Sequence, residues 1–103
     1  MSNKTGATTK LATYRETLDR LDAALVYLLA ERFSVTETIG QLKAELELAP
    51  LDAQRERAQL ARLQHLAEDA GLQPHYLERV FREITSMVRA RHEEIRHYRE
   101  DPR

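Results

Sequence analysis

Heptad spacing dominates the first half of this chain. Stepping 3, 4, 3, 4 from Leu11 meets Tyr14, Leu18, Leu21, Leu25, Leu28, Arg32, Val35, Ile39, Leu42 and Leu46. Every one of these positions except Arg32 is apolar or aromatic. A stripe of this period predicts a helix whose seam packs on other helices. A permanent cation on that seam costs several kcal/mol of desolvation unless an anion meets it, so the estimate alone asks for a partner. No Asp or Glu shares the seam. The anion is therefore a carboxylate from elsewhere in the protein or an anionic ligand.

Helix punctuation is sparse. Between Lys10 and Ala49 the only Gly or Pro is Gly40, so the first helix is expected from about Thr9 to about Glu47. Pro50 breaks it, and Asp52 suits the N-cap of a second helix carrying Leu60, Leu63 and Ala67. Gly71 is a C-cap signal. Pro74 falls in the first turn of a third helix, whose stripe is Leu77, Phe81, Ile84, Val88 and Ile95, ending near Tyr98. No stretch reads as a strand. The expected fold class is all-α, with three helices per chain, one of them very long. Residues 9–99 form the domain, and 1–8 and 100–103 read as disordered tails.

The first helix is long for its protein. About 37 residues rise roughly 55 Å, whereas a compact chain of this size has a radius of gyration of about 13 Å. Two shorter helices cannot cover such a seam end to end. An exposed apolar stripe of that size implies a partner, and a second copy is the simplest. The expectation is an intertwined homodimeric helical bundle.

Composition narrows the chemistry. Charged residues make up 32% of the 103 positions and nearly cancel, with a formal net charge of −1. That balance gives no case for nucleic acid or membrane partners, which usually select a basic excess. With no Cys there is no disulfide, thiolate metal site or Cys nucleophile. No apolar run approaches the roughly 20 residues that span a bilayer, and the polar start lacks a signal peptide's apolar segment. The protein reads as cytoplasmic. His92 and His97 are five apart, one residue off the zinc spacing, so no metal site is expected there. The serines Ser2, Ser34 and Ser86 sit in no nucleophile elbow. Arg89, Arg91, Arg96 and Arg99 alternate with Glu93, Glu94 and Glu100 near a helix C-terminus, and read as a solvated face.

Other charges group around Arg32. Lys43 lies eleven residues later, which at about 100° per residue returns to nearly the same face about 16 Å along the axis. A small anion between the two can be held by both side chains. Arg15 lies roughly 25 Å away in the other direction. It cannot easily reach that ligand on its own helix, whereas in an antiparallel dimer the other chain's Arg15 can complete the pocket. Asp52, Arg55 and Glu56 share one face at the start of the second helix. His92 falls one turn after Val88 on the packed side of the third.

In order and spacing these residues resemble the all-helical class of chorismate mutases, over about residues 11–98. The first helix carries Arg15, Leu18, Asp19, Leu21 and Asp22, then the run Leu28 to Arg32, then Ile39, Gly40 and Lys43. The second carries Pro50, Asp52, Arg55, Glu56 and Arg57; the third carries His75, Tyr76 and the run Val80 to Ile84. The resemblance implies three helices per chain in an intertwined dimer, no cofactor, and the Claisen rearrangement of chorismate to prephenate on the way to Phe and Tyr. It implies that Arg32, with Arg15 of the other subunit, holds the substrate carboxylates. Lys43 bridges a carboxylate and the ether oxygen, Glu56 and Asp52 engage the ring hydroxyl, and Arg55 supports the site through its charge.

Two positions depart from the family pattern. Val88 stands where Ser is common, and His92 where Gln is common. The Ser contact is secondary. The Gln amide donates to the ether oxygen, a role that an imidazole N–H can take. His92 is therefore expected to replace it and to make turnover pH-dependent between about pH 5 and 8; otherwise it is a packed histidine. The same arginine and lysine set also suits an isochorismate pyruvate-lyase or an amino-deoxychorismate mutase. A reading from a different class is a non-catalytic helical dimer that binds a metabolite or protein.

Overall fold

The computed structural model describes residues 3–50 and 52–100. Three helices follow one another: α1 (Asn3–Glu45), α2 (Ala53–Ala70) and α3 (Pro74–Glu100). No strand occurs among the described residues. The all-α expectation holds, and no described helix is long and apolar enough to cross a membrane.

The helix ends follow local chemistry. Asp52 caps α2, its side chain accepting the Arg55 backbone N–H at 3.0 Å. Gly71 takes the left-handed conformation at φ 73°, and the Leu72 N–H reaches Ala67 O at 2.8 Å. α1 closes the same way without a glycine. Glu47 sits at φ 57°, and the Leu48 N–H donates to Lys43 O at 2.8 Å. Pro74 opens α3, where it forfeits no helical hydrogen bond.

α1 starts earlier than expected. Residues 3–8, read as part of a disordered tail, are helical from Asn3. Nothing after Asn3 stops the helix except a tolerated Gly6, and the Thr8 and Thr9 hydroxyls bond back to the carbonyls of Lys4 and Thr5. Met1, Ser2, Leu51 and residues 101–103 lie outside the described residues.

The chain divides into two units, residues 1–34 and 35–103. In the first, the seam from Leu11 to Leu28 is exposed throughout. In the second, the core consists of Ala44, Ala67, Leu77, Ile84 and Ile95, with His92 buried among them. The α3 stripe expected from sequence is half-buried or buried at each of its positions. Within residues 35–45 the packed face is not the heptad seam. Val35, Ile39 and Leu42 are exposed, while Gly40 and Ala44, four apart, are buried.

Candidate functional site

Helix α3 presents two different faces within the second unit. One is tight. His92 is 5% exposed, and its Nε2 lies 2.8 Å from Thr36 O. A carbonyl only accepts, so Nε2 carries the hydrogen and donates it. The ring rests on Gly40. A Cβ there would lie 2.5 Å from His92 Cδ2, a distance that real contacts do not allow, and 3.0 Å from Ile95 Cδ1, a tight contact. Gly40 is therefore what lets the imidazole reach the α1 backbone. Beside it, Arg91 clamps Glu37 side-on, Nε to Oε2 at 2.9 Å and Nη2 to Oε1 at 2.7 Å. Hydrogen bonding from Arg91 holds the Glu37 carboxyl below the usual carboxylate range. The same pairing pushes the Arg91 guanidinium above its ordinary value.

The other face is open. α3 and α2 flank a cleft of about 360 Å³ with Glu56, Gln59, Phe81, Arg82, Ser86 and Arg89 on its walls. Arg89 reaches across it, its Nη2 donating to both Glu56 oxygens at 3.1 and 3.0 Å. Gln64 donates to Glu78 at 2.9 Å and ties the two helices together.

The residues singled out from the sequence fall as follows. Glu56 lines the cleft. Lys43 is half-buried, and its Nζ donates to Pro50 O at 3.2 Å, so the ammonium is turned toward the α1–α2 connection. Asp52 gives one oxygen to the α2 cap. Arg55 is exposed and Val88 half-buried. His92 is buried with its Nε2–H committed to Thr36. Arg15, exposed, and Arg32, half-buried, belong to the first unit. Among the described residues no cluster of His, Asp or Glu could hold a metal ion.

Sequence reasoning missed Arg89. Arg89 and Arg91 are exposed, as a solvated face predicts, but each also makes a bifurcated or bidentate bond to a glutamate on another helix, which charge alternation does not predict. Arg82, Thr85, Ser86 and Arg89 share one helix face by their i, i+3, i+4, i+7 spacing, which groups them without saying which neighbour that face meets. Arg96 does behave as expected, pairing with Glu100 one turn on.

The architecture and this cleft define a small helical chain with cations and carboxylates side by side on the walls of one cleft. The chain belongs to the chorismate mutase type II family, which it matches over residues 14–93. It is also similar to the T-protein of Enterobacter agglomerans, with 32% identity over 75 residues. That alignment takes in 73% of this chain and 20% of the relative, so the chain spans about a fifth of that protein's length.

Proposed function

We propose that the protein is a chorismate mutase, converting chorismate to prephenate. The observation that carries this reading is the family match over residues 14–93, which takes in Arg15, Arg32, Lys43 and Glu56. The reaction breaks the ether C–O bond as a C–C bond forms, and negative charge gathers on the ether oxygen. It needs no covalent catalyst. The enzyme's task is to hold a dianion in its compact conformer and to stabilise the developing charge. Arg32 and a partner subunit's arginine at position 15 serve the first task by forked binding of carboxylates. Lys43 serves the second once it swings from Pro50 to the ligand. Glu56 accepts the ring hydroxyl's hydrogen, with the free oxygen of Asp52 and the charge of Arg55 beside it.

His92 enters this scheme in a restricted way. Its Nε2–H is engaged with Thr36. While the Nε2–H bond to Thr36 lasts, His92 acts chiefly by packing on Gly40, and donation to the ether oxygen requires that bond to be given up. A homodimer supplies position 15 and covers the seam of residues 3–34.

The test is product identity from purified protein given chorismate and, separately, isochorismate. Prephenate from chorismate is expected, with kcat/KM falling about 10²–10³-fold in Arg32→Ala, the scale of losing one preorganised charge donor. Salicylate and pyruvate from isochorismate alone would assign the lyase reaction. Silence on both from a folded protein would leave a non-catalytic binding role.

A further inference from the structure

Arg89 holds Glu56 in a way that leaves it usable. One nitrogen, Nη2, contacts both carboxylate oxygens, at 3.1 and 3.0 Å. A carboxylate offers about four lone-pair sites, so each oxygen keeps one for a further donor. The Arg89 and Glu56 side chains are 46% and 35% exposed, open to a ligand in the cleft. Two turns earlier on α3, Arg82 lines the same cleft.

An unpaired carboxylate at Glu56 would favour an ammonium over a hydroxyl, because it attracts full charge more than a dipole. Arg89 reverses that preference. Its guanidinium cancels the charge at Glu56 and repels a second cation at nearly the same distance, while the remaining lone pairs still accept from a neutral O–H. We infer that Arg89 is a specificity-determining residue. It makes the cleft select a ligand ring bearing a hydroxyl and reject one bearing an amino group that protonates. The inference rests on the proposed mutase reading and deepens it, since it separates chorismate from its ring-amino analogue at the Glu56 position. Arg89 acts through Glu56, so it is a positioning residue and not a catalytic one.

The experiment measures kcat and KM for chorismate and for 4-amino-4-deoxychorismate in the parent, Arg89→Leu, Arg89→Gln and Arg89→Lys. The parent prefers the hydroxyl substrate. Removing the cation lowers that preference by about tenfold in both Arg89→Leu and Arg89→Gln, mainly through KM, as expected when a like-charge repulsion is withdrawn. Arg89→Lys keeps most of the preference because the charge remains. The pair is a half-exposed surface bridge and contributes little to stability, so circular dichroism should show both neutral variants folded; two of them guard against one failing to fold. A preference unchanged in a folded neutral variant, or a parent that favours the amine, overturns the inference while prephenate formation stands. A parent inactive on both substrates overturns the mutase reading, and the inference with it.

Discussion

In residues 3–34, six seam side chains from Leu11 to Leu28 stand 47–67% exposed. In residues 35–100, Ala44, Ala67, Leu77, Ile84, His92 and Ile95 are only 2–8% exposed. The apolar content of the two regions does not explain the contrast, since the first is rich in leucine. What differs is the second face of the helix. Residues 35–45 carry Thr36, Gly40 and Ala44 at a spacing of four, small enough for α3 to approach the backbone. The seam itself stays exposed there too, at Val35, Ile39 and Leu42. One helix thus has two surfaces with two uses: small residues for packing within the chain, and large apolar residues held outward. Such a seam is costly in water unless something covers it.

The strongest way to break this comparison is to charge the seam. Leu21→Glu places a carboxylate amid apolar neighbours. If a second copy covers residues 3–34, the variant loses about 1.5–3 kcal/mol of leucine burial per protomer and several more for desolvating a charge. Sedimentation equilibrium should show a dimeric parent and a monomeric variant, with weaker helical circular dichroism. A parent that sediments as a monomer would mean that the seam is solvated, and the variant would then change little.

The second test acts on the packed region. Gly40→Ala puts a Cβ 2.5 Å from His92 Cδ2. The ring cannot yield cheaply, because it is buried and bonded to Thr36. Overpacking costs about 1–3 kcal/mol, against about 1 kcal/mol gained in helix propensity. Urea denaturation should show a net loss of up to about 2 kcal/mol. In a His92→Ala background the loss should shrink or change sign, since most of the clash is gone. A Gly40→Ala that stabilises the parent by the full helix-propensity gain of about 1 kcal/mol would mean that α3 does not depend on this close approach.

These two regions also show what was legible in the sequence. Pro50, Asp52, Gly71 and Pro74 act through local backbone chemistry, so the helix count and most boundaries followed from them. The start of α1 did not, because residues 3–8 lack both a strong cap and a breaker. The heptad seam was plain, but period alone does not say which other face packs. Gly40 stood out only as the one glycine between Lys10 and Ala49, and its role depends on His92, fifty-two residues away. The same holds for the site. Glu56 could be singled out from its place at the start of α2, whereas its partner Arg89 is set by the rotation of α3 about its axis. Charge alternation on one helix carries no information about that rotation.

The smallest expected effect lies at the rim of the packed region, in the Arg91–Glu37 pair. Hydrogen bonding from Arg91 lowers the Glu37 carboxyl below its ordinary 4.5. A depressed folded-state value means that the native state prefers the ionised form. The resulting stability is fully present above the unfolded-state value and is lost as pH falls through the folded one. Arg91 stays charged throughout, so the carboxylate alone sets the window. Because other acids titrate in the same range, the informative quantity is the stability difference between parent and Glu37→Gln. It should be constant from about pH 6 to 8 and should shrink below 4.5. Both side chains are substantially exposed, 50% and 40%, so the difference is small and falls further with added salt. A difference that persists unchanged in acid would show that Glu37 holds α3 through packing and not through its charge.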